Sequence, residues 1–369
     1  MSTPAATQFV PIDDPVVWQA ALEQLPNAHP LQSWSWGALK AAWGWSMHPY
    51  LLQAGDGSPL AALLVLKRKV PRLPFAILYV PKGPAFAYED ATIRARVLTF
   101  LEGLARRERA IFVKIDPEVV AAVGAEEVEE LALGQLWLKL LRERGWRYSD
   151  DQIQFKHTVE LDLDRPEEDI LAAMKSKTRY NIRLASRKDV NIRLATPADF
   201  PAIATIYAET AQRDGFAIRP EAYYLDAWQR FYEAGRLIPL VAEYEAKLLA
   251  AVILVRGGGR TIYMYGASTD NERQRMPNYL LQWEAIRHAR AAGDQIYDFW
   301  GAPETFTEED SLWGVWRFKA GFNGRVVRFI GAWDFVARPF WYWVYTVAMP
   351  RYLDLLRSRN RALQGSAAD

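Results

Sequence analysis

The sequence predicts an α/β (α+β) fold made of two tandem, related units, each a mixed and mostly antiparallel sheet flanked by helices. Size and composition come first. At roughly 150 residues per domain, a chain of 369 residues that is 50% hydrophobic and 24% charged has the material for two globular units. The second observation is that one order of elements occurs twice. Leu60, Ile77 and Ile111 open apolar runs that recur at Leu249, Ile262 and Ile296, displaced by 189, 185 and 185 positions.

In the first copy, Tyr50-Leu-Leu-Gln-Ala and Leu60–Leu66 are apolar runs separated by a Gly55-Asp-Gly turn, which predicts an antiparallel hairpin. Ile77–Val80, a helix-like segment near 91–109 and Ile111–Pro117 then predict a β-α-β crossover. The second copy runs Leu240–Tyr244, Leu249–Val255, the Gly257-Gly-Gly turn, Ile262–Tyr265, a helix near 277–292 and Ile296–Pro303. The expected division is a first unit over 1–160, a second over 161–335 and an aromatic, basic helical segment over 336–369.

Composition narrows the chemistry. With no cysteine there are no disulfides, thiolate nucleophiles or sulfur-ligated metals, and His29, His48, His157 and His288 lack ligand spacing. No metal and no other cofactor is expected. The formal charge of +1 excludes a globally basic nucleic-acid binder but permits a local basic patch. The N-terminal MSTPAATQFVPIDDP has neither a positive nor an apolar signal region, so the cytoplasm is the expected compartment. Pro339–Pro350 (PFWYWVYTVAMP), bounded by Arg338 and Arg351, is shorter than the ~20 apolar residues of a membrane span. It either lies on the inner face of a membrane, where Trp and Tyr settle at headgroup depth, or packs on the core as a C-terminal helix.

The basic patch lies in Asp164–Lys188. Asp164 and Pro166 suit a helix start, and Glu167, Glu168 and Asp169 complement its positive end. Lys175, Arg179, Arg183 and Arg187 follow at four-residue intervals, one stripe of a single basic helix over 165–188. Between Lys175 and Arg193 there are seven basic residues and one acid, so the stripe is either a solvated face or an anion site in which the arginine forks engage phosphate. Two further clusters carry candidate chemistry. In Leu312–Arg325, Lys319 lies between Phe318 and Phe322, placed either to stabilise an oxyanion where water is excluded or to snorkel over aromatic surface. Asp116 ends a predicted strand, where open sheets place their sites, although Asp before Pro117 is also an ordinary turn residue.

Four segments then carry a resemblance: Gln32-Ser-Trp-Ser-Trp-Gly-Ala-Leu-Lys40, Met174–Ala185, Tyr263-Met-Tyr-Gly-Ala-Ser268 and Leu312–Phe322. In this order, from about residue 30 to 335, the chain resembles the FemABX family of peptidoglycan interpeptide-bridge aminoacyltransferases, which are built from two GNAT-like (N-acetyltransferase-type) domains. The resemblance implies transfer of an amino acid from aminoacyl-tRNA to the stem peptide of a UDP- or lipid-linked muramyl pentapeptide. It implies Lys319 as the oxyanion or tRNA-terminus contact, and Asp116 as proton acceptor unless the substrate moves the proton itself. It further implies Lys40, Arg179 and Arg183 at the precursor's phosphates and carboxylate, with Trp36, Tyr180, Tyr263, Tyr265 and Phe318 lining the substrate sites. The chain departs from the family in lacking heptads for a coiled-coil arm, and in having Ala332 where a glutamate is expected, with Asp334 the nearest acid.

Two rivals differ in kind. An acyl-CoA-dependent N-acyltransferase needs a glycine-rich turn opening a helix to cradle pyrophosphate, whereas Arg273–Tyr279 and the 88–93 segment contain no glycine. A non-catalytic RNA- or membrane-associated module would use the basic helix but leaves the Lys319 segment without a role.

Overall fold

A computed structural model of the chain describes residues 8–349 and residue 351. The strands are, in order, β1 (Phe9–Pro11), β2 (Ser46–Gln53), β3 (Pro59–Lys69), β4 (Ala76–Val80), β5 (Ala110–Ile115), β6 (Val120–Val123), β7 (Glu129–Glu130) and β8 (Trp146–Tyr148). They continue as β9 (His157–Asp162), β10 (Asn191–Leu194), β11 (Leu237–Tyr244), β12 (Lys247–Gly257), β13 (Arg260–Ser268), β14 (Ile296–Asp298), β15 (Arg325–Phe329) and β16 (Trp333–Val336). Two mixed sheets result, ordered β1-β2-β3-β4-β5-β16-β8 and β10-β11-β12-β13-β14-β9-β15-β6-β7.

The duplication read from the sequence is realised strand for strand. β2, β3 and β4 are antiparallel and β4 runs parallel to β5; β11, β12 and β13 are antiparallel and β13 runs parallel to β14. Each parallel pair is joined through a helix, Ala91–Arg107 in the first copy and Pro277–Ala291 in the second. Asp90 caps the first of these by accepting the N–H groups of Thr92 and Ile93 at 2.8 and 2.9 Å. Its buried Ile93, Val97, Leu101 and Leu104 follow the helical repeat and pack on one face of the first sheet. One asymmetry bears on the site. β4 and β5 stay paired as far as Val80 and Ile115, whereas β13 and β14 pair only from Arg260/Ile296 to Ile262/Asp298 and then diverge.

The halves exchange strands. β16 leaves the second half to pair with β5 and β8 in the first sheet, and β6 and β7 extend the second sheet beyond β15. The division expected at 160/161 falls inside β9, and that at 335/336 inside β16. A core cluster of Trp18, Leu31, Leu39 and Leu64 from the first half with Tyr224, Trp228, Val241 and Ile253 from the second fills the seam. The β12–β13 turn closes onto it. Gly258 has φ +63°, and a Cβ there would lie 1.9 Å from the Ala28 carbonyl oxygen. Gly258→Ala is therefore expected to destabilise the fold by about 2 kcal/mol or more, combining backbone strain with a backbone clash. Urea denaturation checks this, and an unchanged midpoint would refute it.

The basic helix differs from its expected form. It is two helices, Glu167–Ala173 and Ser176–Arg187, separated by extended Met174 and Lys175. Pro166, not Asp164, occupies the cap position. The break persists because Lys175 N–H donates to Gly321 O at 3.0 Å and the Arg179 guanidinium donates back to the carbonyls of Ala172 and Met174, satisfying the first helix's open C-terminus. The longest described helix has 17 residues. Of the expected 336–369 segment, residues 350 and 352–369 lie outside the described residues; Pro339–Trp343 is α-helical and Val344–Ala348 continues it as a π-helical turn. No helix among the described residues is long and apolar enough to cross a membrane.

Candidate active site

The second sheet has two faces, and they separate the predicted site residues. Leu240, Ala242, Val252 and Leu254 point to the helices Ser176–Arg187 and Pro277–Ala291, while Val241, Ala251 and Ile253 point to the seam. Arg179, Tyr180 and Arg183 are on the first of these helices. Arg179 closes the preceding helix, as described, while Tyr180 is 56% exposed and Arg183 is exposed. Lys40 is on the seam side. The basic helix and Lys40, which the resemblance implies at the precursor's phosphates and carboxylate, are on opposite faces. Tyr263 and Tyr265 also part company, because the β12–β13 register shifts at Ile253/Leu254. Tyr265 joins the rings of Tyr207, Tyr224 and Trp228, whereas Tyr263 packs with the helix 277–291 core.

Asp116 and Lys319, by contrast, are drawn into one buried network. Asp116 follows β5, and its carboxylate accepts the Tyr79 hydroxyl at 2.7 Å and the Lys82 backbone N–H. Burial pushes its pKa up to about 6, against the opposing pull of Lys82 and Tyr79. The Lys82 ammonium donates to Phe155 O at 2.8 Å, lies 3.6 Å from Glu118 and sits 5.3 Å from the centre of the Trp300 ring. Arg260, at the start of β13, joins three carboxylates from three elements: Glu118 at 2.7 Å, Glu160 at 3.3 Å and Asp298 at 3.3 Å. His29 Nδ1 accepts the Leu31 N–H at 3.0 Å, so a neutral ring carries its proton on Nε2, 3.6 Å from Glu118; burial holds it neutral.

Where β13 and β14 diverge, Asp298 accepts the Trp300 N–H at 2.8 Å and the Thr158 hydroxyl. Trp300 and Gly301 follow with φ of +52° and +77°, and both carbonyls turn onto the Lys319 ammonium, Gly301 O at 2.6 Å. Lys319 is the last residue of helix Trp313–Lys319 and only 3% exposed. Burial pulls its pKa down to about 7. Two of its three protons are engaged, which leaves one for a ligand. Phe318 beside it packs edge-on against Tyr279 and Phe322. Asp334, the acid nearest Ala332, is in β16, 3.3 Å from Lys114, and accepts the Tyr342 hydroxyl at 2.9 Å. It braces the first sheet.

The second polar cluster crosses the seam. Ser33 caps the helix Trp34–Ala42, on which Trp36 and Lys40 are one turn apart. Lys40 Nζ is 4.2 Å from the Trp36 ring centre and donates to the Tyr223 hydroxyl at 2.6 Å, and the Arg219 guanidinium is 4.8 Å from the Tyr223 ring centre. Burial first, and then the Arg219 charge, bring the Lys40 pKa down to about 7. Among the described residues neither cation has a carboxylate within ion-pair distance, which leaves both charges open to an anion. Free Lys40 loses its proton as pH rises through about 7, and a bound anion must draw one back. Anion affinity should thus fall with rising pH, by at most about tenfold per unit. Calorimetry with inorganic pyrophosphate in buffers of different ionisation enthalpy reads this; a flat profile, or one unchanged in Lys40→Met, would refute it.

Arg219, Tyr223, Lys82, Trp300, Glu118 and Arg260 were not singled out as site residues by the sequence reading. The signals available were slight: Lys82-Gly-Pro after one strand and Asp298-Phe-Trp-Gly301 after another.

The two related mixed sheets flanked by helices are a fold of the tandem GNAT-like class. The FemAB family model matches residues 19–242 and 233–349, and the chain belongs to the FemAB family. It is similar to a lipid II:glycine glycyltransferase of Staphylococcus epidermidis, 23% identical over 415 aligned positions that cover 94% of this chain and 97% of the relative. A lipid II:glycine glycyltransferase of Staphylococcus aureus is 22% identical, covering 90% and 94%. The crystal structure of FemX superposes with a TM-score of 0.82 at 20% identity, over 91% of this chain and 99% of that one. A tandem GNAT protein from the clavulanic acid biosynthesis pathway gives 0.52 at 15% identity, over 89% and 98%.

Proposed function

We propose that this chain transfers an aminoacyl group from aminoacyl-tRNA to the stem-peptide amine of a muramyl-pentapeptide precursor, UDP- or lipid-linked, at the inner face of the membrane. One observation carries the reading: Asp116 and Lys319, 203 positions apart in sequence, converge on Lys82 and Trp300 in one buried network, and Trp36 and Tyr223, which flank Lys40, share a core cluster with Tyr79 and Trp300. The similarity to glycyltransferases that act on lipid II supports it.

In this reading the amine attacks the ester carbonyl, the C–N bond forms, the C–O bond to the tRNA ribose breaks, and the ribose hydroxyl leaves with a proton. Asp116 takes the proton from the attacking ammonium, in line with a carboxylate whose pKa is near 6. Lys319 supports the developing oxyanion with its free proton. Lys40 and Arg219 hold a phosphate or carboxylate of the precursor, against Trp36 and Tyr223. The donor's 3′ end enters a groove of about 590 Å³ lined by Phe318 and Ala320, the chain neighbours of Lys319, where Lys175, Lys177 and Arg317 alternate with Trp313 and Trp316. Tyr180 and Arg183, on the same helix as Lys177, extend that side; Arg179 supports the helix pair, and Tyr263 and Tyr265 shape the walls of the splayed sheet.

Asp90 fills the N-terminus of helix Ala91–Arg107, which leaves no place there for a pyrophosphate. A radiolabel-transfer assay with charged tRNAs and both precursors tests the proposal. RNase-sensitive transfer to the stem peptide is expected. Transfer from an acyl-CoA alone, or RNA binding without turnover, would overturn it.

A further inference from the structure

Helix Pro339–Trp343 and its π-helical continuation have an inner and an outer side. Inward, Trp341 meets Phe75 with ring centres 5.1 Å apart, and Tyr342 and Tyr345 pack on Phe112 at 5.4 and 5.8 Å. This side seals Val70, Ile77 and Ile111 at one end of the first sheet. Outward, Phe340 is 66% exposed, Trp343 54% and Met349 41%. Phe340 and Trp343 stand at i, i+3 and so share a face.

The surroundings are basic. Arg68 and Lys69 end β3, Arg72 is in the loop whose Leu73 and Phe75 touch the helix, and all three are exposed, as is Arg351. The Arg338 guanidinium lies 4.9 Å from the Phe75 ring centre, and the Arg68 charge reaches the Tyr345 hydroxyl. Asp150 and Asp151 act on the inward Tyr342 and Tyr345.

Exposed aromatic side chains on a short helix, rimmed by arginine and lysine, match the headgroup layer of an anionic bilayer, where Trp settles and basic residues meet lipid phosphates. The helix also has a fixed relation to the site. Phe112, Lys114 and Asp116 project from one face at the end of β5, so the helix lies about 13 Å along that face from Asp116 at 3.3 Å per residue. Lys114, Asp334 and Tyr342 link the two ends.

We infer that this helix, through Phe340, Trp343, Met349 and the Arg68–Arg72 rim, docks the protein on an anionic lipid bilayer and holds Asp116 about 13 Å along β5 from the bilayer-bound helix. In its second part the inference rests on the proposed aminoacyl transfer: the acceptor is then the lipid-linked precursor, taken from the bilayer.

Flotation with vesicles of equal parts phosphatidylglycerol and phosphatidylcholine, and with phosphatidylcholine alone, tests the docking without any turnover. The wild type should float with the anionic vesicles and less at high salt. The Phe340→Ser/Trp343→Ser double variant should bind at least about tenfold more weakly, as should Lys69→Glu/Arg72→Glu, while Val16→Ser, exposed elsewhere, binds normally. Circular dichroism and transfer to the soluble UDP-linked acceptor should be unchanged in the double variant, and transfer to vesicle-borne precursor lost. Failure of the wild type to float, equal flotation of the double variant, or a dimer in solution that only the double variant abolishes would overturn the docking. Flotation as expected with no transfer to either acceptor would leave the docking standing and overturn the proposed reaction.

Discussion

Lys319→Met is expected to lower kcat by about 10² to 10³, the range seen when one preorganised oxyanion donor is removed, with acceptor affinity nearly unchanged. Methionine keeps the length and apolar bulk of the lysine stem in a site only 3% exposed, so the Phe318 and Phe322 packing should survive. What is lost is the ammonium that holds the Trp300 and Gly301 carbonyls. Single-turnover transfer, with acceptor binding measured separately, distinguishes the outcomes: a rise in KM at constant kcat would mean that Lys319 only binds substrate. Full turnover would remove it from the site. Since burial draws its pKa down to about 7, the protonated fraction falls as pH rises above 7. The wild type should therefore lose kcat on that alkaline side, and Lys319→Met should not lose it further.

Asp116→Asn should cost about a hundredfold or more in kcat/KM, the lower end of the range for removal of a positioned general base. The pH profile is the sharper test. A carboxyl whose pKa has been raised to about 6 accepts a proton only above that value, so wild-type kcat/KM should fall as pH drops through 6. In Asp116→Asn that acid limb should vanish together with the activity. Asparagine can still accept the Lys82 N–H, and the Tyr79 hydroxyl can turn to accept from the new amide, so the loop after β4 should hold its shape. If the variant kept both its rate and its acid limb, proton transfer would belong to the substrate.

Much of the architecture was legible in the chain. The repeated runs around Leu60 and Leu249, Ile77 and Ile262, and Ile111 and Ile296 became equivalent strands, because alternation of period two and helical repeats are local properties that burial on one face reinforces. Asp116 and Lys319 were singled out as residues, and Lys40 with Trp36 as a motif. Their partners were not. Arg219 lies 179 positions from Lys40, and Trp300 lies 218 positions from Lys82. The basic stripe was legible as spacing, yet spacing did not reveal that Lys175 leaves the helix or that Arg179 turns back to cap its neighbour.

By itself, the sequence determined the composition, the duplicated order of strands and helices, the motif residues and the aromatic C-terminal helix, since each is set by neighbours within a few turns or strand lengths. Only the tertiary structure decided which face each residue serves. The exchange of β16 and of β6 with β7, the register shift that parts Tyr263 from Tyr265, and the depth of burial that brings Asp116, Lys40 and Lys319 near neutral pKa all depend on packing between distant segments. A pKa, a cation without a carboxylate partner and a shared core are properties of surroundings, and the surroundings exist only once the two halves have closed on each other.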